Sequence, residues 1–320
     1  MTYRQLFEEG SRLLSESGVA DASLDARLLL CEAFEMNAAE YLLSCDRELS
    51  ELYAPDALSG MQEDYSHYIS LRRRRVPLQQ ILGETQFMGL DFAVTPDVLI
   101  PRQDTETLVE QVLYDCPDQN LRVLDLCTGS GCIAASLAVL GGYREVVGTD
   151  ISMEALYVAR ENAMRLLREA EARSNGKKSL LSSLFAKDEE EFRQQVHFIQ
   201  ADLFGGLSEG LSELGISRFD IITANPPYIR TGELETLEPE VRDFEPRLAL
   251  DGSEDGLLFY RRIAKEAGDY LSEGGSLYLE IGADEAAAVS ALLTEAGFSG
   301  IRVIKDLSGH DRVVRALWEG

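Results

Sequence analysis

Hydrophobic positions in the first 75 residues recur at helical spacing. Leu6, Phe7, Leu13 and Leu14 make one stripe, and Leu24, Leu28, Leu29 and Leu30 make a second. The stretch 61–71 continues the period through Tyr65, Tyr68 and Ile69. No β-branched alternation interrupts these stripes, so they predict a small all-α bundle, with Ser23 or Asp25 placed to cap the second helix. The character changes over 76–101, where 85–88 and 90–94 alternate around Gly89 and predict a β-hairpin within a linker. A helix is expected over 107–114.

From Leu121 the period switches regularly between two and 3.6. Strands are predicted at 122–126, 145–149, 196–200, 219–223, 276–281, 300–304 and 312–318, with helices at 133–140, from 153 to about 167, 257–271 and 284–296. Such alternation implies an α/β domain over 102–320, its mostly parallel sheet covered on both faces. The short link 307–311 between the last two strands implies an antiparallel hairpin at one edge. Residues 168–194 are charged and show no period. They are expected to be a helix end and a mobile insertion without chemistry.

Composition narrows the class. At 320 residues and 45% hydrophobic content, the chain is long enough for two cores. No run approaches the ~18 apolar residues of a membrane span, and the N-terminus lacks the basic and apolar regions of a signal peptide. Five cysteines, odd in number and without a CxxC, fit thiols in a reducing cytoplasm. Three histidines, none near another His or Cys at ligand spacing, argue against a zinc site, and no metal is expected. The net charge of −26 repels phosphate backbones and disfavours duplex nucleic acid as a partner.

Candidate chemistry lies at the strand ends. Asn225-Pro226-Pro227-Tyr228 follows the strand 219–223. Two prolines fix φ and remove two donors, so the segment is a rigid turn. The Asn225 amide oxygen and the Pro226 carbonyl can accept both N–H bonds of a planar –NH2 group while Tyr228 packs on its flat face. Earlier, Asp125-Leu126-Cys127-Thr128-Gly129-Ser130-Gly131 leaves a strand and enters a helix, the glycines letting backbone pass close beneath a ligand. Asp150, nineteen residues after Gly131, can accept both hydroxyls of a ribose. The run Gly129 to Ala134 formally satisfies a nicotinamide fingerprint, G-x-G-x-x-A. Asp125, four residues before the first glycine, suits a cationic ligand better than a pyrophosphate. With Asp202 positioned for an adenine amino group, the acids at three successive strand ends favour S-adenosylmethionine.

These residues resemble the HemK/PrmC glutamine methyltransferases. The resemblance spans nearly the whole chain and includes Leu24-Asp25-Ala26-Arg27-Leu28-Leu29, Pro77-Leu78-Gln79-Gln80-Ile81-Leu82-Gly83, Ile100-Pro101-Arg102-Gln103-Asp104-Thr105-Glu106, Phe244-Glu245-Pro246-Arg247-Leu248-Ala249-Leu250 and Glu280-Ile281-Gly282. It implies a Rossmann-like class I S-adenosylmethionine-dependent methyltransferase domain that methylates the side-chain amide (N5) of the glutamine in the Gly-Gly-Gln motif of peptide-chain release factors. Transferred by position, it implies cofactor contacts at Cys127, Thr128, Gly129, Ser130, Gly131, Asp150, Leu203 and Asn225, added to Asp125 and Asp202 from the strand-end argument. The substrate glutamine would lie on Asn225, Pro226, Pro227 and Tyr228, with Asn225, Pro226 and Tyr228 as the catalytic set.

Departures are small: Cys127 stands where the loop often has another glycine, and Gln103 where a proline is common. Asn-Pro-Pro-Tyr alone is shared with N6-adenine DNA and N2-guanine RNA methyltransferases, which form the alternative. A binding module with a vestigial cofactor site is a third reading, opposed by the intact loop and acids. The helical domain, 1–75, is expected to recognise the release factor. Arg72-Arg73-Arg74-Arg75 is the one basic cluster, a solvated helix end or a contact for that partner. Arg102 and Glu106 are candidates to hold the linker against the site, or simply to form a structural salt bridge.

Overall fold

The computed structural model describes residues 1–177 and 196–320. Their packing forms two units. One comprises Met1–Glu84 with Glu238–Phe244, and the other Thr85–Leu237 with Glu245–Gly320. The expected linker is thereby divided, with 76–84 going to the first unit and the hairpin to the second.

The first unit is helical, as the periodicity predicts: α1 (Tyr3–Glu16), α2 (Ala22–Ala33), α3 (Ala38–Ser44), α4 (Leu49–Leu52), α5 (Pro55–Arg73) and α6 (Leu78–Leu82). Helix α1 opens on a reciprocal capping box of Thr2 and Gln5, and α3 on one of Asn37 and Glu40. Leu14, Ala26, Leu29, Leu30 and Leu49 are fully buried in a common core with Tyr65 and Ile69. Gly10 lets α1 approach α5, since a Cβ there would lie 2.0 Å from the Tyr65 hydroxyl. The expected cap of α2 is corrected. Asp21 holds the N-cap position without a side-chain bond. Ser23 bonds Ser11, and Asp25 is buried against Arg72 at 2.7 Å.

The arginine cluster is corrected in part: Arg73 and Arg74 are exposed at the helix end, and Arg72 and Arg75 are not. Arg72 is buried, its Nε bonding Asp25 and its Nη1 bonding Glu240 at 2.7 Å and the Val76 carbonyl at 3.2 Å. Arg75 ends α5 in the left-handed conformation, φ 68°, with bonds to Glu240 and Glu238. Both side chains are consumed by carboxylates of their own unit, so neither forms part of a solvated helix end or a surface for a partner.

In the second unit, β1 (Glu84–Phe87) and β2 (Leu90–Ala93) form the predicted hairpin. After α7 (Gln103–Asp115) come β3 (Arg122–Leu126), α8 (Cys132–Ser136), which continues into one π-helical turn, Leu137–Gly141, then β4 (Glu145–Asp150) and α9 (Met153–Lys177). Helix α9 runs past the predicted end near 167. The remainder of the expected insertion lies outside the described residues. The chain goes on through β5 (Val196–Gln200), α10 (Leu207–Leu214), β6 (Phe219–Ala224), α11 (Pro239–Phe244), which belongs to the first unit, α12 (Leu258–Tyr270), β7 (Leu271–Glu280), α13 (Ala286–Glu295), β8 (Ser299–Lys305) and β9 (Asp311–Leu317). Helices α10 and α11 were not anticipated, because at 8 and 6 residues each is too short to show a sustained period.

The large sheet has the order β5-β4-β3-β6-β7-β9-β8. Its first five strands pair in parallel, and β9 joins antiparallel between β7 and β8. Burial follows position. The central strands β3 and β6 are nearly sealed throughout, whereas β8, at the edge, alternates and exposes Arg302 and Lys305. Central strands therefore read as continuous apolar runs, and the charged edge resists further pairing. Period-two alternation sends Leu124, Leu126, Ile222 and Ala224 into one core and Val123 and Ile221 into the other. The order reverses between β3 and β6, and the strand ends beside that switch point carry the site.

Candidate active site

Both loops that leave β3 and β4 are tied to each other by main-chain bonds. Thr128 N–H donates to the Thr149 carbonyl at 2.9 Å, and Gly129 N–H donates to the Asp150 carboxylate at 2.9 Å. The other Asp150 oxygen accepts from Ser152 N–H at 3.0 Å. Each carboxylate oxygen keeps further lone-pair capacity for a ligand's hydroxyls. Burial raises the Asp150 pKa, and the backbone donors oppose that rise. Cys127 and Gly129 take left-handed φ values of 55° and 54°, which turns the loop sharply out of the strand. Gly131 (φ 78°) caps α8, and a Cβ there would meet that of Ala159 at 3.0 Å. Asn162, fully buried on α9, donates to the Ser130 and Ala93 carbonyls and so binds the loop to the hairpin.

A cleft of about 470 Å³ opens above this loop. Of the residues anticipated from sequence, Cys127, Thr128, Gly129, Ser130, Asp150, Asp202, Leu203, Asn225 and Pro227 line it. Asp202 is held by Arg262 of α12 at 2.8 Å, and Leu203 is buried at φ 54°. Four anticipated residues stand behind the wall. Asp125 is sealed on the face opposite Leu124 and Leu126. Its carboxylate accepts from the hydroxyls of Thr128 at 2.6 Å and Thr223 at 2.8 Å, and from the Ala134 N–H of α8. Burial pushes its pKa to about 7 against those donors. Its position corrects the expectation of a direct ligand contact: the acid braces the loop and the start of α8 from beneath. Gly131 serves the helix cap. Pro226 is buried, and Tyr228 packs on the core beside α12 and α13, with burial and the Glu280 charge raising its pKa. The Tyr228 ring thus braces the turn from behind instead of lining the cleft.

The turn itself is pinned by its neighbours. Ile229 N–H donates to Leu250 at 3.0 Å, and Gly252 N–H donates to Ile229 at 2.8 Å. The Asn225 Nδ2 donates to the hydroxyl of Thr105 at 3.4 Å. Thr105 and Arg102, both from the Ile100 to Glu106 motif, line the cleft, and Arg102 pairs with buried Glu245. Glu106 accepts from Met88 N–H at 2.6 Å, so it fixes the hairpin turn. Sequence reasoning quoted this motif without assigning Thr105. It had no signal for Arg262 or Phe259, which reach the cleft from a helix remote in sequence.

The volume lies in the range of small-molecule sites, roughly 300–1,000 Å³. An open cradle at Gly129, where a Cβ would meet nothing within 4 Å, joins carboxylates at Asp150 and Asp202. That donor set fits an adenosine bearing a cationic group, and no group of three or more metal-ligating side chains occurs among the described residues. No helix among them is long and apolar enough to cross a membrane.

Comparison with known proteins is consistent along the chain. Residues 5–83 match the PrmC N-terminal domain and residues 117–172 match a methyltransferase domain. A release factor glutamine methyltransferase of Geobacter sulfurreducens is 38% identical over 98% of this chain and 95% of its own. Another, of Moorella thermoacetica, is 39% identical over 98% of this chain and 97% of its own. Among solved structures, a release factor-specific protein-(glutamine-N5) methyltransferase of Alicyclobacillus acidocaldarius is 28% identical, covers 72% of this chain and 100% of its own, and superposes with a TM-score of 0.36.

Proposed function

Because the chain belongs to the family of release factor glutamine methyltransferases, we propose that the Asn225 side chain, with the main-chain carbonyl of Pro226 whose ring is buried behind the cleft wall, holds the glutamine of a Gly-Gly-Gln loop for methylation at N5. The enzyme is an S-adenosylmethionine-dependent protein-glutamine N5-methyltransferase acting on release factors. The observation that carries the site assignment is that Asn225 and Asp150 line one cleft at the ends of β6 and β4, the strands on either side of β3. Bound there, S-adenosylmethionine supplies an electrophilic methyl group. Asp150 would take the ribose hydroxyls, with Gly129 and its neighbours in the loop, Asp202 and Leu203 holding the rest of the adenosine.

A glutamine amide is a poor nucleophile because its lone pair is delocalised into the carbonyl. Accepting both N–H bonds at the Asn225 oxygen and the Pro226 carbonyl raises electron density on nitrogen and fixes its direction. The N-terminal helical domain, residues 1–75, would recognise the body of the release factor, since a tripeptide offers too little surface for specificity. Duplex nucleic acid is disfavoured as substrate by the charge of −26, and cytoplasmic residence suits five cysteines that are all free thiols.

The test is methyl-labelled S-adenosylmethionine with purified release factor, followed by mass spectrometry. Label is expected on the glutamine of the Gly-Gly-Gln peptide, and with a much lower KM for the whole factor than for a short Gly-Gly-Gln peptide. Label confined to adenine or guanine of added nucleic acid would overturn the reading. Equal KM values for factor and peptide would remove the role of the helical domain.

Cofactor affinity gives a separate prediction. Asp150→Ala removes charge-assisted bonds to the ribose, each contributing about 1.5–3 kcal/mol, and should weaken S-adenosylmethionine binding roughly tenfold or more by calorimetry. An unchanged Kd would move the ribose elsewhere.

A further inference from the structure

Two sequence motifs that the proposed chemistry leaves without a task meet behind Asn225. Thr105 comes from α7, and Glu280 ends β7. The Thr105 hydroxyl accepts from Asn225 Nδ2 at 3.4 Å and lies beside the Glu280 carboxyl, whose charged form it favours. Thr105 is 2% exposed and Glu280 1%, and the second Glu280 oxygen, Oε2, has no hydrogen-bond partner among the described residues. A buried carboxylate with an unmatched oxygen is costly, so its retention beside an active-site amide calls for a reason. Arg312, Asp104 and Arg102 also face it.

We propose that Thr105 and Glu280 are positioning residues which set the orientation of the Asn225 side-chain amide. The inference rests on the substrate role given to Asn225 above. An asparagine amide has two orientations that differ by exchanging its oxygen and nitrogen. Only one presents the oxygen to a substrate –NH2 group, while the other presents two more donors and repels it. Burial pushes the Glu280 pKa up to about 7, and above that value the ionised carboxylate only accepts, so Glu280 draws the single Thr105 proton to itself. The Thr105 oxygen is then left with lone pairs alone for Asn225. Those lone pairs select the amide nitrogen, and the amide oxygen is turned toward the cleft. The carboxylate thus fixes the polarity of a group it does not touch.

Thr105→Val keeps the volume and removes the relay. It should lower kcat about tenfold with little change in the Kd for S-adenosylmethionine, and Thr105→Ser should restore most of that loss. Glu280→Gln replaces an acceptor with a group that also donates, allowing the Thr105 proton to swing to Asn225, and should lower kcat similarly. Equal impairment of the Val and Ser variants, or wild-type kcat in Thr105→Val, would overturn the proposal. A second readout does not depend on turnover. The side-chain NH2 protons of Asn225 should exchange slowly by NMR in the wild-type and Thr105→Ser proteins and fast in Thr105→Val, and identical exchange in all three would also overturn it. Slow exchange in an enzyme that leaves release factor unlabelled would instead uphold the relay and count against the proposed function.

Discussion

Asn225→Ala should slow methyl transfer to release factor by about 10²–10³, the usual loss for one preorganised hydrogen-bond partner in an active site. The change removes an acceptor at the end of β6 and leaves the two prolines, with the bonds from Ile229 and Gly252 that pin the turn. Stability should hardly move, because Asn225 is only partly buried and its side-chain hydrogen bond to Thr105 is a long 3.4 Å. Asn225→Asp separates positioning from charge. An aspartate still accepts hydrogen bonds, but it adds negative charge beside a reacting centre whose positive charge disappears as the methyl moves. That charge stabilises the ground state more than the transition state. Cofactor binding should be kept or tightened while kcat falls, measured by calorimetry and single-turnover kinetics. Wild-type turnover by the aspartate variant would show that acceptor geometry at residue 225 does not limit the reaction.

The line between what sequence disclosed and what it hid is physical. Period and proline content located the sheet strands and the rigid turn, because those signals are local. The strand-end acids were equally visible, yet their roles diverged with depth. Asp150, at a strand terminus, reaches the cleft, while Asp125, one residue short of its strand's end, is sealed beneath the hydroxyls of Thr128 and Thr223 and braces α8. Tyr228 was read as a cleft aromatic because it follows the prolines, and the turn instead directs it to the core. Thr105, Glu280 and Arg262 come together only through the fold, and no spacing in one sequence links α7 to β7 or to α12. The arginine run misled for a similar reason: Asp25 and Glu240, which neutralise Arg72, lie 47 and 168 positions away.

That last cluster has the largest consequence for stability. Glu240→Ala should lower the free energy of unfolding of the helical unit by about 2 kcal/mol, since Glu240 is only partly buried and a hydrogen bond to a charged group contributes about 1.5–3 kcal/mol. Glu240 bonds both Arg72 and Arg75, and burial of its carboxyl is outweighed by the two guanidinium groups, so its pKa lies below the ordinary value. Its contribution is therefore present above the unfolded-state carboxylate pKa and is lost as pH falls through the lowered folded-state value. Removing it leaves Arg72 with Asp25 alone, and Arg75 with the exposed Glu238. Arg72→Lys should be nearly as damaging, since Nε and Nη1 serve two separate acids and a carbonyl, a span that one ammonium group cannot match. Replacing Asp25, Arg72 and Glu240 together by Leu, Met and Leu should recover most of the loss, because apolar packing avoids desolvating three charges. Urea unfolding followed by circular dichroism measures each value, and limited proteolysis near 238–244 reports release of that segment from the unit. If Glu240→Ala unfolded within about 0.5 kcal/mol of wild-type, as a surface substitution does, the ion pairs would be incidental to the attachment of 238–244.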